Sequence, residues 1–289
     1  MNKLLRTQIE HMIRSKTDND FQEFVVFLHQ LVFGDAFRVV KQKHDKGSDG
    51  IVNGNTVLAV YGPTSYTLPG FKKKVGDDHK SYCRNWQETH PNWTVVFNDE
   101  LKANMIQFVE KLHPGADKKG LPELLVMIED LPWSKIQRVG EYFGIPSQLL
   151  MNDLIGQVID DLIRQNEVDT ENDGRQQATY IEDKIALNYS AEEVQHATDE
   201  YYDCLLLFNS TESILREHSA LSLQALRSRI RNDFRSQGGS FAERFRGLVT
   251  LYSQAQRDDD LYRFAVTTLL TFFFEQCLIG RRTPEEESC

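Results

Sequence analysis

A change of hydrophobic period near Pro132 constrains this 289-residue chain more than any other feature. Upstream, runs with the 3.6-residue period of a helix alternate with short β-type runs; downstream, every periodic stretch is helical. The segment NDFQEFVVFLHQLVF places Phe21, Phe24, Val25, Leu28 and Leu31 on one face, so a helix is expected over Asn19–Phe33. Strands are expected at Phe37–Lys41 and Thr56–Tyr61. The turn formers of HDKGSDG and NGN bring a short strand near Ile51 between them, making a meander. There follow a basic and polar helix over Phe71–Thr89, a strand at Trp93–Asn98, a helix at Glu100–Leu112 and a strand at Glu123–Ile128. Strands that alternate with helices run parallel, with the crossovers packed on the sheet. Residues 1–132 are therefore expected to be an α/β domain, a mixed central sheet with flanking helices.

Beyond Pro132, SKIQRVGEYFGIP reads as a short helix stopped by Gly144 and Pro146, and QLLMNDLIGQVIDDLIRQ as a longer amphipathic one. NEVDTENDGRQQAT (166–179) is dense in turn formers and reads as a linker. Residues 133–175 are then a helical connector with a polar linker, and 176–289 an all-α helical C-terminal domain suited to partner binding or assembly. Its most apolar segment, Phe264–Gly280, contains Glu275 and Gln276 and falls short of the ~20 apolar residues of a membrane span. A buried last helix is expected there, and no membrane. The charged, amphipathic start MNKLLRTQIEHMIRSK is not expected to be a signal peptide, and the tail RRTPEEESC is expected to be disordered.

Cys83, Cys204, Cys277 and Cys289 form no CxxC or Cys/His cluster, which points to neither zinc nor disulfides and to a reducing cytoplasm. The net charge of −10 gives no overall pull toward nucleic acid, so DNA binding requires a local basic surface or a partner subunit. The chain has no P-loop, GxGxxG or GxSxG, which leaves nucleotide hydrolysis and serine hydrolase chemistry unsupported.

Asp49 is the strongest single candidate for chemistry. In KGSDG it stands at a turn before a strand, where backbone and side chain together can reach a hard cation; Asp-Gly is equally at home in a plain hairpin turn. The helix FQEFVVFL, the strand FRVV, the turn KGSDG and the strand VLAVYGP together resemble the restriction-endonuclease-like PD-(D/E)xK superfamily. They are most similar to its Mrr-type domains, whose motif is G-x-DG before a strand bearing (E/Q)xK. The resemblance spans Asp20 to Pro132. KKKVGDDHKSYCRNW, WTVVFND and ELLVMIEDLP are similar to a subgroup attached to bacterial conflict systems, in which the second strand ends in vYgP as VYGP does here. YIEDKIALNYSAEEVQ resembles the E-K-I-x-x-N-x-L-S opening of helical C-terminal domains in ABC-three-component systems. Lys184, Ile185 and Asn188 match it, while Tyr189 stands at an aliphatic position.

The resemblance implies an antiviral effector: a DNA endonuclease dependent on Mg²⁺ or Mn²⁺, held in check by a partner protein, an ATPase or sensor, and compatible with a homo-oligomer. Carried over residue by residue, Asp49 is the metal-binding acid and Glu23 an added helical acid. The (E/Q)xK positions fall on Ala59 and Tyr61, which can neither bind a metal nor offset charge on a phosphate. A migrated site would take its lysine from Lys72, Lys73 or Lys74, with Lys73 and Lys74 the leading candidates, and its second metal-binding acid from Asp77 or Asp78. Lys72, Lys73 and Arg84 would contact the phosphate backbone. The alternative is an inactive nuclease-fold module that binds nucleic acid or a protein trigger and scaffolds a defence complex. Elsewhere structural roles are expected. Asn98-Asp99 should cap the helix beginning at Glu100, Asp130 should serve the fold, and His79 and His90 should be exposed or capping. Asn188 and Ser190 should cap the helix AEEVQHATDEYYDCLLLF with Glu192 or Glu193 in a capping box; Arg227, Arg229, Arg231 and Arg235 could touch nucleic acid, but with Asp233 interrupting charges spread over several faces they should be solvated.

Overall fold

In the computed structural model, which describes residues 1, 3–40, 48–164, 180–256 and 258–282, the expected meander forms. β1 (Phe37–Val39), β2 (Gly50–Val52) and β3 (Thr56–Tyr61) pair antiparallel. β3 pairs in parallel with β4 (Asn92–Phe97), and β4 with β5 (Asp117–Lys119), so the sheet is mixed, with the order β1-β2-β3-β4-β5. The chain is α/β. The expected linker and all but Arg281 and Arg282 of the expected tail lie outside the described residues, as does the Lys41 end of the first expected strand.

Two compact units divide the chain: Lys3–Leu131 with Lys135–Gly144, and Met1–Asn2 with Pro132–Ser134 and Ile145–Cys289. The sheet unit contains α1 (Lys3–Ser15), α2 (Asp18–Phe33), α3 (Leu68–Asn85), α4 (Ala103–Leu112), α5 (Leu121–Glu129) and most of α6 (Trp133–Phe143). α2 buries the expected face, Phe21, Phe24, Val25, Leu28 and Leu31. Alternation along β3 sends its side chains to opposite sides of the sheet. Leu58 joins Phe37 and Val52, with Val26 and Phe33 of α2 packed against them. Val57 and Ala59 join Phe71, Val75 and Tyr82 of α3 and Met105 and Val109 of α4.

Two expectations fail here. The run ELLVMI is not a strand but the body of α5, whose buried Leu121, Leu124, Leu125 and Ile128 follow helical spacing. Pro122 sits in the first turn and the Glu123 carboxylate accepts the Gly120 N–H at 2.8 Å, both of them helix-start features. The last strand is instead the three residues of DKK, β5, recruited by backbone pairing with Thr94–Val96. Nor do Asn98 and Asp99 cap α4, which starts at Ala103 after Lys102. The Asn98 amide donates to the Lys16 carbonyl at 2.9 Å, and Asp99 accepts its neighbour's Glu100 N–H and pairs with Arg14.

The helical unit comprises α7 (Ser147–Arg164), α8 (Ile181–Asn188), α9 (Val194–Leu205), α10 (Phe208–Arg216), α11 (Ala220–Ser236), α12 (Phe241–Tyr252) and α13 (Asp260–Glu275). α7, α9, α10 and α12 all pack on α13, which is buried on every side from Ala265 to Phe274. That burial accounts for its continuous apolar run. Among the described residues, no helix is long and apolar enough to cross a membrane.

Candidate functional site

Asp49 precedes β2 at the point where the antiparallel ladder ends. β2 faces β3 only from Thr56 to Leu58, which leaves the Val60 N–H beyond its reach. The Asp49 backbone N–H donates to the Leu58 carbonyl at 2.9 Å, and its carboxylate accepts the Val60 N–H at 2.6 Å. The side chain thus completes the hydrogen bonding of β3, a demand that any half-buried backbone donor makes. Ser48 beside it is buried and donates to the Gly50 carbonyl at 3.2 Å.

The glycines of the two matching motifs serve packing. A Cβ at Gly50 would lie 2.5 Å from the Phe37 ring, and one at Gly62 2.6 Å from the Phe21 ring. Only glycine allows those rings so close. The Asp18 N–H donates to the Gly62 carbonyl at 2.6 Å, so VYGP is where the start of α2 is fastened to the end of β3.

At the two (E/Q)xK positions, Ala59 is 3% exposed inside the core beneath α3 and α4. The Tyr61 ring stacks on Phe97 with centroids 5.9 Å apart and lies 6.0 Å from Phe71. Burial raises the Tyr61 phenol pKa, and the nearby Lys74 charge opposes the rise.

The remaining candidates are dispersed over local partners. Lys74 pairs with Asp78 at 2.6 Å and Asp77 with Lys80 at 3.1 Å, both within α3. The Lys72 ammonium lies 5.6 Å from the centre of the Phe108 ring, and Lys73 and Arg84 are exposed on α3. Glu23 is exposed on α2; with Asp20 it adds to the rise that burial imposes on the Tyr142 phenol. Mg²⁺ or Mn²⁺ does not fit this donor set. One Asp49 oxygen is committed to Val60, Asp77 to Lys80, and no three His, Cys, Asp or Glu side chains converge among the described residues.

α3 does concentrate charge. It carries five basic and two acidic side chains in a chain of net charge −10. Its His79 is half-buried in an aromatic cluster with Tyr82, Trp93 and His113, and its pKa is lowered by burial and then by His113.

In the helical unit the cap expected of Asn188 and Ser190 is only half made. Glu193 accepts the Ser190 N–H at 3.4 Å and the Ser190 hydroxyl at 2.8 Å, but α9 starts at Val194. Asn188 turns to the C-terminal segment, accepting the Arg281 N–H at 2.6 Å and donating to its carbonyl at 3.0 Å. Arg229, expected in solvent, donates to the Leu162 carbonyl at 2.9 Å and lies 5.2 Å from the Tyr252 ring centre. Sequence reasoning also missed a cleft of about 580 Å³, bordered by α9, α12 and α13 and lined by Tyr189, Glu200, Phe245, Arg246 and Arg263. Burial raises the Glu200 carboxyl pKa, against the nearby His196 and Arg246. Residues so far apart in sequence carried no local signal of it.

No protein family matches the chain, and searches of curated proteins and of solved structures find no match either.

Proposed function

We propose that this chain is a subunit of a bacterial antiviral defence complex whose sheet unit, related to the restriction-endonuclease-like domains, holds nucleic acid without cutting it. The single observation that carries this reading is the use made of the motif positions. Ala59 and Tyr61 are built into the core, and the Asp49 carboxylate is spent on the Val60 N–H. A helix, a meander, and then helices alternating with parallel strands support the relationship. The basic surface of α3, with Lys73 and Arg84 exposed, supports a polyanionic ligand gripped through its phosphates. The helical unit is the part that joins a partner protein, an ATPase or sensor.

Purified protein and its Asp49→Ala variant are incubated with supercoiled plasmid and Mg²⁺ or Mn²⁺, and DNA binding is followed by anisotropy against salt. Neither protein is expected to nick the plasmid. Asp49→Ala is expected to lose about 1–2 kcal/mol of stability by orphaning a half-buried N–H. Lys73→Ala and Arg84→Ala should each lower the slope of log K against log salt by about one. Metal-dependent cutting by the wild type that Asp49→Ala abolishes would restore the alternative, a metal-dependent DNA endonuclease.

A further inference from the structure

A lysine rarely lies wholly inside a protein unless something engages its amine. Lys184 on α8 has 0% exposure. Its Nζ lies 2.9 Å from Sγ of Cys277 and 5.1 Å from the centre of the Phe274 ring. Cys277 is 7% exposed and follows α13 with a φ of 59°, in the left-handed region that residues with a Cβ seldom adopt. The two Asn188–Arg281 hydrogen bonds close the same junction, so α8 and the turn after α13 hold amine and thiol together across 93 residues. The separation is no longer than the about 3–3.5 Å of reacting atoms in a near-attack arrangement.

The other described thiols are placed differently. Cys83 is exposed and lies 3.5 Å from a His79 ring nitrogen. Cys204 is buried, and burial pushes its thiol up to about 11.

We propose that Lys184 and Cys277 form a covalent modification site, a sulfur–nitrogen crosslink made when hydrogen peroxide oxidises the thiol. Peroxide converts the Cys277 thiol to a sulfenic acid and is itself reduced to water. The lone pair of the Lys184 nitrogen then attacks the sulfur. The S–N bond forms, the S–O bond breaks, and the departing hydroxide takes a proton from nitrogen to leave as a second water. The chain loses two hydrogens, one peroxide is consumed and two waters are made. Sulfenic acids condense with nitrogen in this way where one is held against them. The bond would tie α8 to the end of α13, closing a long loop and so constraining the unfolded chain. This inference is independent of the nucleic-acid reading.

The full chain is treated with equimolar peroxide, remaining thiols are alkylated, and intact mass and a peptide map are recorded. The expected product has lost about 2 Da, as two hydrogens removed by sulfenamide formation require. Its map contains a joined peptide pair bearing Lys184 and Cys277, which dithiothreitol separates. Cys277→Ser and the volume-conserving Lys184→Met should each abolish the joined pair. Oxygen additions on Cys277 without a joined pair, or Cys277 still alkylated at a dose that oxidises Cys83, would overturn the proposal. The wild-type map decides the matter even if a variant fails to fold.

Discussion

In the sheet unit the residues suspected of chemistry find partners close by in sequence. Lys74 meets Asp78 and Asp77 meets Lys80, both within α3. In the helical unit comparable groups reach far: Lys184 to Cys277, Asn188 to Arg281, Tyr201 to Glu275 and Tyr262 to Asp161. Exposed pairs one turn apart contribute a few tenths of a kcal/mol and leave the helix much as it was. Contacts between distant segments fix which elements meet. The pairs within α3 can therefore change with little effect on the fold, while the long-range contacts of the helical unit act as fasteners.

The sharpest way to break this contrast is to put the missing acid back. Ala59→Glu would place an unpaired carboxylate in the core beneath α3 and α4, and is expected to cost about 3–5 kcal/mol, read as a urea midpoint. If the double variant Ala59→Glu/Tyr61→Lys kept wild-type stability and cut DNA with Mg²⁺, the sheet unit would be a latent nuclease.

A second, somewhat smaller effect should appear with pH. His29 is buried, and burial, the largest cause, lowers its pKa from 6.5 to about 4. The unfolded chain takes up the proton first as pH falls, so the stability from a neutral His29 is complete above pH 6.5 and is lost toward pH 4. The difference corresponds to roughly 3 kcal/mol. Unfolding midpoints between pH 4 and 7 should diverge between the wild type and His29→Leu by that amount; parallel curves would show that His29 titrates normally.

The smallest effect tests the fasteners themselves. Asn188→Ala removes hydrogen bonds to the Lys184 and Arg281 carbonyls and from the Arg281 N–H, and should cost about 1–2 kcal/mol. An unchanged thermal midpoint would reduce Asn188 to surface decoration and weaken the contrast.

Much of the sheet unit was legible because its signals are local. The apolar face of α2, the turn residues around Gly50 and the β-branched runs of β3 and β4 each define an element within a few residues. α5 and β5 were not read correctly, for opposite reasons. ELLVMI is an unbroken apolar run that fits a buried strand as well as a buried helix, and the deciding residues, Pro122 and Glu123, lie at its front edge. DKK carries no strand signal, because β4 alone makes it one. The candidate site was legible as residue types and not as geometry: Asp49 could be placed at a turn, but its partner is a backbone N–H eleven residues on.

By itself, then, the sequence determined the period of most segments, and so the α/β start, the helical remainder and the acid at the turn. Those properties depend on residues a few positions apart, whose spacing the chain dictates before it folds. Only the tertiary structure decided that Asp49 completes a strand, that Lys74 and Asp77 are paired within α3, and that a lysine and a cysteine 93 residues apart share one buried junction. Such pairings depend on strand register and helix packing, which arise from the summed burial of many side chains and leave no mark on any one stretch of sequence.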